Sequence, residues 1–326
     1  MEALIQKKHR LSMKVATLYR FSALIFSMAY GFLIVALLQL QYQLGSGDIA
    51  SYLHFFNQFV GSDAPELSMQ QDGAFRLSIF FLRDIFNVEA LIILSAFAFI
   101  TSTIVAYIFL RNIRSEKYLI LLLPLFIMAF TTPITQALFS SNIRSGIAFT
   151  FLMIGMVYLR GLPQLAFFGL SSLIHFSMIP FVGLYILFHL INRLNFDGIK
   201  LNNTFTFILL FCVSIFFAIT GGIVRGTSVS SSFAYNILVF YVAILIIFTS
   251  RKLIKNVYGF MSAGMIFIYF TGLLIDVSYI RYVGNALLLY FLFLVQEGEK
   301  SKIEIFTVGF IPFFILTSSY MFSNLS

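Results

Sequence analysis

The sequence contains no tryptophan, a single cysteine and few charged residues, and each shortage excludes a class of protein. Charged residues occupy 10% of the 326 positions, whereas a soluble globular domain needs roughly a quarter. The one cysteine, Cys212, lies in an apolar run, so the chain has neither a disulfide framework nor a cysteine metal site. Because tryptophan is absent, tyrosine must supply the aromatic anchors at the membrane–water interface.

Hydrophobic residues are abundant instead, at 60% of the chain. They predict an all-α integral membrane protein, a multipass helical bundle of about 10–11 transmembrane segments that forms one polytopic domain over residues 1–326. Apolar runs long enough to span a membrane lie near residues 21–40, 89–110, 118–139, 145–159, 204–222, 233–249, 257–275, 279–296 and 303–321. The first run is too long for a cleavable signal peptide and predicts an uncleaved helix with a cytoplasmic N-terminus.

The stretch 162–191 reads either as one long tilted helix or as two short helices that meet near His175. The positive-inside rule distinguishes the two, since cytoplasmic loops carry an excess of lysine and arginine. Two passes leave only five of the 21 cations outside, while one pass divides the cations almost evenly. The two-pass topology therefore predicts eleven segments, with the C-terminus outside.

The five outside cations in this topology are all arginines, whereas every lysine falls inside. They are Arg76, Arg83, Arg144, Arg225 and Arg281. A guanidinium group can grip a phosphate with two parallel hydrogen bonds, which an ammonium group cannot do. The outside face also carries carboxylates, so the pattern indicates a site for a phosphate ester beside a general base. The alternative is simple ion pairing at the surface.

The long outside loop 41–88 predicts two amphipathic helices at the membrane surface. The first follows Asp48 and carries Tyr52 among several phenylalanines, and the second carries Arg76 and Arg83 on its polar side. An outward-facing interfacial or re-entrant element is therefore expected here.

The candidate site residues are ionisable groups beside apolar runs, where charge is costly and usually functional. The cations Arg144, Arg225 and Arg281 are candidates for binding a diphosphate. His175, Asp276 and Asp48 are candidates for the general base. For Arg144 the alternative is a side chain that extends to lipid phosphate, and for His175 a hydrogen-bonded core histidine.

The sequence contains no motif for metal binding, nucleotide binding or a nucleophilic serine. The four histidines are scattered without metal-ligand spacing, and no phosphate-binding glycine fingerprint or nucleophile elbow is present. We therefore expect no metal and no cofactor. Basic and aromatic residues are not interleaved as they are in nucleic-acid-binding proteins, so no nucleic-acid partner is expected.

Several short motifs resemble one family of membrane enzymes. They are RSGIAFTFLMIG from Arg144, LIHFSMIP around His175, the pair Asp48 and Tyr52, and the late Tyr279-x-Arg281-Tyr282. Over residues 45–290 the chain is similar to the EpsG-type, Wzy-like polysaccharide polymerases. Arg144 and Gly155 also match an arginine–glycine spacing described in some Wzy proteins.

The resemblance implies a membrane-embedded glycosyltransferase of the bacterial cytoplasmic (inner) membrane, whose active site faces the outside or periplasm. Its substrates would be an oligosaccharide carried on undecaprenyl diphosphate and the growing polysaccharide, in contact with membrane lipids. A chain-length regulator and a flippase are implied as partners. Two other classes stay open at this point, namely a lipid-linked oligosaccharide flippase or transporter and a multipass acyltransferase that modifies surface sugars.

Overall fold

The computed structural model describes residues 2–45, 48–58, 73–112, 126–196, 203–225, 239–241, 243–245, 252–275, 280–297 and 300–323. Within these ranges the chain is helical almost throughout, as the composition predicts. The α-helices are α1 (Glu2–Gln43), α2 (Asp48–Gln58), α3 (Gly73–Phe86), α4 (Ala90–Arg111), α5 (Pro133–Phe139), α6 (Ile143–Tyr158), α7 (Leu162–Ile174), α8 (Ile179–Phe196), α9 (Asn203–Arg225), α10 (Val257–Leu274), α11 (Ile280–Glu297) and α12 (Lys300–Ser323). Short 3₁₀ helices lie at Phe176–Met178 and Leu253–Lys255.

The protein is an all-α multipass membrane protein. Among the described residues, four helical stretches are long and apolar enough to cross a membrane: Tyr19–Gln43, Ala90–Arg111, Phe176–Leu194 and Val257–Leu274. Five shorter apolar helices accompany them. Phenylalanines form much of the buried interior, and many other large apolar side chains face outwards. Outward-facing apolar side chains are expected where the surrounding solvent is lipid.

Helices α1 and α4 pack against each other as an antiparallel pair. The Tyr19 hydroxyl donates to the Leu110 carbonyl oxygen at 2.6 Å, and Gln39 Nε2 donates to Ser95 Oγ at 3.1 Å near the other end. Midway, the backbones approach so closely that a Cβ added to Gly31 would lie 2.3 Å from the Thr103 hydroxyl oxygen. A glycine here allows the close helix contact that membrane proteins commonly use.

The stretch 162–191 forms two helices, which confirms the prediction that two segments meet near His175. The helix α7 ends at Ile174, and His175 has extended backbone angles (φ −149°, ψ 113°). Helices α7 and α8 then fold back on each other, since Gln164 Nε2 donates to the Tyr185 hydroxyl at 2.7 Å. The preceding turn uses Gly161 with a φ of +67°, a conformation that favours glycine.

The apolar run predicted as one helix over 118–139 is broken at Thr132. Residues 126–131 are helical, Thr132 is extended (ψ 131°), and α5 starts anew with Pro133 at its first position. The ring of a proline disfavours helical angles in the residue before it, which accounts for the break. The hydropathy of the run gives no sign of it.

The loop 41–88 contains the two predicted helices, α2 and α3, but their apolar sides pack into the bundle. Ile49, Tyr52 and Phe56 of α2 are buried, as are Phe75 and Ile79 of α3. These two helices therefore contribute side chains to the protein core.

Arg83 joins these two helices, a role that the sequence did not predict. Its guanidinium donates to the Phe56 carbonyl oxygen and also lies over the Phe80 ring, 5.2 Å from its centroid. An exposed ion pair with Asp84 at 3.2 Å adds a third contact. Arg83 is thus a structural tie between α2 and α3.

The helix packing gives the bundle two distinct ends. At one end, which we call the Arg160 end, the guanidinium of Arg111 lies 5.4 Å from the Tyr158 ring centroid. Lys252 pairs there with Glu297 at 3.5 Å, where α10 begins and α11 finishes. The opposite end, the Arg144 end, contains α2, α3 and the start of α6.

Candidate functional site

Arg144 lies in the first turn of α6, at the Arg144 end of the bundle. The N-cap residue, Asn142, makes no capping bond with its side chain. The guanidinium Nε donates to the Tyr52 hydroxyl at 2.8 Å, and its Cζ lies 5.2 Å from the centroid of the Tyr52 ring. These contacts join positions 92 residues apart and fix the direction of the guanidinium plane.

Tyr52 is itself held by aromatic neighbours. Its ring lies 5.6 Å from that of Phe75 in an edge-to-face arrangement, and Phe56 contacts Phe75 from the next turn at 6.3 Å. Only 8% of Tyr52 is exposed. A cation over an aromatic face is attracted more strongly when the pair is shielded from water, so this contact gives Arg144 a defined position.

His175 lies at the same level of the bundle as Arg144, across the antiparallel pair α6 and α7. Gln164 Nε2 donates to the Gly155 carbonyl oxygen at 3.0 Å, and Ser171 Oγ donates to the Ala148 carbonyl oxygen at 2.7 Å. Four residues farther along each helix, this register reaches Arg144 and His175. His175 is 3% exposed, so its imidazole lies inside the protein, where ionisable groups are usually functional.

The backbone of Arg225 reaches this same level. In the antiparallel pair α8 and α9, a Cβ added to Gly183 would lie 2.3 Å from Phe217 Cζ. From this contact, α8 leads back through the 3₁₀ helix Phe176–Met178 to His175, and α9 runs on in the same direction to Arg225. Arg225 is the last residue of α9, and its side chain falls outside the described part of the chain.

Arg281 lies slightly deeper. Its neighbour Tyr282 contacts Phe181 with ring centroids 5.7 Å apart, and Phe181 contacts Phe149 at 6.4 Å. Phe149 follows Arg144 by five residues, about 8 Å along α6 at the rise of an α-helix. The side chain of Arg281 also falls outside the described part. The structure therefore brings the three arginine positions to one end of the bundle within about two helical turns.

The other two base candidates, Asp276 and Asp48, fall wholly or partly outside the described residues. Asp276 lies outside the described residues. Asp48 is the first residue of α2, one helical turn before Tyr52 and hence on the same side of α2, but its side chain lies outside the description. His175 is thus the base candidate whose side-chain position is defined.

The arrangement favours an anion. Backbone N–H groups at the start of α6 and the guanidinium of Arg144 both present positive charge to the same region. Asn142 and Ser145 flank Arg144, and both are buried. A polar, cationic region inside an apolar bundle suits a charged headgroup attached to an apolar tail.

Gly155, part of the arginine–glycine spacing noted in the sequence, has a packing role. A Cβ added there would lie 2.9 Å from Cε1 of Phe168 on α7. The glycine therefore permits the close approach of α6 and α7 that sets the register of Arg144 with His175.

Sequence reasoning missed a set of buried polar side chains near this site. Asn142, Ser145, Thr135 and Asn285 are all less than 10% exposed. The available signal was a polar residue inside an apolar run, such as Asn285 in YVGNALLLY. Hydropathy averages conceal such single residues.

No group of three or more potential metal ligands occurs among the residues that the structure describes. No family model, curated protein or solved structure matches the chain.

Proposed function

We propose that the protein is a polymerase of the Wzy-like kind, which joins oligosaccharide repeat units carried on undecaprenyl diphosphate into a surface polysaccharide. The reaction takes place at the outer face of the bacterial cytoplasmic membrane. One observation carries the proposal: a guanidinium oriented by Tyr52 stands at the start of α6, level with the buried His175. The topology and the family resemblance of the sequence support it.

In this reaction an acceptor sugar hydroxyl attacks the anomeric carbon of the donor sugar. A new glycosidic C–O bond forms, the C–O bond to the diphosphate breaks, and undecaprenyl diphosphate leaves with the bonding electrons. His175 accepts the hydroxyl proton. Arg144 stabilises the negative charge of the leaving group, and hydrogen bonds to charged groups contribute about 1.5–3 kcal/mol each.

The helices α2 and α3 supply a route for the polyprenyl tail. The outer side of α3 exposes Phe81, Ile85 and Phe86, each more than half accessible, while its inner side packs towards Tyr52. A lipid carrier can thus lie against the apolar side of α3 with its diphosphate directed at Arg144.

The test uses purified protein in liposomes with undecaprenyl-diphosphate-linked repeat units. The proposal expects chains of increasing length on gels, and His175→Gln should abolish them. His189→Gln is the matched control, because His189 lies on α8 well away from the Arg144 end and makes a tilted ring contact with Tyr185, with centroids 4.4 Å apart. Lipid transfer across the bilayer without chain growth would indicate a flippase instead, and acyl transfer to the sugar would indicate an acyltransferase.

A further inference from the structure

Four buried side-chain oxygens near Arg144 make no hydrogen bond among the described residues. They are Thr135 Oγ1, Asn142 Oδ1, Ser145 Oγ and Asn285 Oδ1. In native proteins such groups are few, and each one calls for an explanation such as water or a ligand. Four around one helix junction form a cluster.

Several other buried hydroxyls of the bundle donate to a backbone carbonyl oxygen one turn earlier in the same helix. Thr150 Oγ1 donates to the Gly146 carbonyl oxygen at 2.8 Å, and Ser214 Oγ donates to the Leu210 carbonyl oxygen at 2.7 Å. Ser140 Oγ, beside the cluster, does the same with Gln136 at 2.9 Å. Thr135 Oγ1 and Ser145 Oγ differ from these hydroxyls, and among the described residues two other buried hydroxyls without a partner, those of Tyr30 and Thr103, lie away from the α5–α6 junction, on α1 and α4.

Three of the four residues share the contact between α5 and α6. Asn142, Ser145 and Gly146 lie on one side of α6, and a Cβ added to Gly146 would be 2.7 Å from the Leu138 carbonyl oxygen. Thr135 lies one turn before Leu138 on the same side of α5.

Asn285 joins the cluster from α11, which packs against α5. One turn before it, Tyr282 contacts Phe181, and Phe181 contacts Phe149 on the Asn142–Ser145 side of α6. The four oxygens therefore lie where α5, α6 and α11 pack together, with Asn142 and Ser145 beside Arg144 and Asn285 deeper in the bundle.

We infer that this cluster, Thr135, Asn142, Ser145 and Asn285, is the subsite for the sugar next to the diphosphate, an inference that rests on the proposed function. The chemistry of the atoms selects the ligand. An amide oxygen only accepts hydrogen bonds, and so does a phosphate oxygen, so phosphate cannot satisfy Asn142 or Asn285. Sugar hydroxyls donate hydrogen bonds, and in a glycosyl diphosphate the sugar adjoins the phosphate that Arg144 binds.

Entry of the sugar requires α5 to separate from α6, because the four oxygens are closed off in this structure. The short helix α5 is suited to this movement, since its backbone breaks away from the preceding helix at Thr132. In the closed state, four buried oxygens without hydrogen-bond partners raise the free energy of the protein. Binding of a sugar between α5 and α6 supplies those partners and so favours the separated state.

The experiment measures binding of two probes, undecaprenyl diphosphate and undecaprenyl diphosphate that carries one N-acetylglucosamine. Thr135→Val and Ser145→Ala should each weaken binding of the sugar-bearing lipid about tenfold and leave the sugar-free lipid unchanged. Both variants should also melt at a higher temperature without ligand, because a buried oxygen without a partner has been removed. Thr150→Val and Ser214→Ala are the matched controls and should not discriminate between the probes.

The outcomes separate the inference from the proposed function. If the wild-type protein binds neither probe, the proposed function is wrong. If it binds both and the Thr135 and Ser145 variants lose neither, or lose both equally, the sugar subsite is wrong although the diphosphate site stands. A higher melting temperature with unchanged sugar binding means that the cluster holds water only, which also overturns the inference. Thr135→Ser, which keeps the hydroxyl, should retain near-normal binding.

Discussion

Arg144 and Arg111 make the same type of contact at opposite ends of the bundle. Each guanidinium lies over a tyrosine ring, at 5.2 Å for Arg144 and 5.4 Å for Arg111. The ring under Arg144 is buried, whereas Tyr158 under Arg111 is 43% exposed. The burial of the tyrosine ring therefore distinguishes Arg144, which is proposed to act on substrate, from Arg111, which anchors a helix end.

Arg144→Lys should reduce chain growth at least tenfold, because an ammonium group keeps the charge but loses the two-point grip on phosphate. Arg111→Lys is the control and should leave chain growth near normal. Polymer length on gels and initial rates measure both. If both Arg144→Lys and Arg144→Ala keep near-normal activity, the prediction is wrong and Arg144 serves only as a membrane anchor.

At the residue scale the sequence could nominate candidate side chains but could not predict their neighbours. Arg144 and His175 stand out because ionisable groups beside apolar runs are costly. The contact with Tyr52 depends on how the segment 41–88 packs, and no local pattern encodes a contact between positions 92 residues apart. The four buried oxygens were missed for the same reason, since burial and partners are tertiary properties.

At the scale of the element, the junction of α5 and α6 depends on a glycine. Gly146→Ala should destabilise the protein by about 1–3 kcal/mol, because the added Cβ would meet the Leu138 backbone oxygen at 2.7 Å. Gly169→Ala on α7 has open space around the new Cβ and should be neutral or stabilising by about 0.5–1 kcal/mol. Thermal unfolding in detergent measures both. Equal melting temperatures for the two variants would contradict this packing.

The tie between α2 and α3 gives a second element-scale prediction. Arg83→Ala removes the bond to the Phe56 carbonyl oxygen and should make the segment 41–88 markedly more sensitive to protease. Asp84→Asn removes only an exposed ion pair, which contributes little, and should leave proteolysis unchanged. If both variants are cut equally fast, the tie to Phe56 does not hold the segment.

Helix boundaries show where sequence reasoning succeeded and where it failed. The two helices on either side of His175 were predicted because the distribution of cations required a second pass. The break at Thr132 was not predicted. The apolar run 118–139 was interpreted as one continuous helix although it contains Pro133. Local backbone chemistry decided that boundary.

At the scale of the whole molecule, the two ends of the bundle should lie on opposite sides of the membrane. On a Cys212→Ser background, Asn87→Cys at the Arg144 end should react with a membrane-impermeant thiol reagent in intact cells. Lys252→Cys at the Arg160 end should react only after permeabilisation. Both positions are exposed. Labelling of position 252 from outside would invert the proposed topology and remove Arg144 from the outer face.

The helix α7 has a consequence for the membrane around it. Its 13 residues extend about 20 Å, against a hydrocarbon thickness of roughly 30 Å. Leu165 and Leu173 on its surface are more than half exposed, so lipid would contact this short helix, and we expect the bilayer to thin beside it. Thinning draws headgroups towards the level of Arg144 and His175, where the proposed lipid carrier must present its diphosphate. Reconstitution in short-chain phospholipids should therefore give faster chain growth than in long-chain phospholipids, and the reverse order would contradict this account.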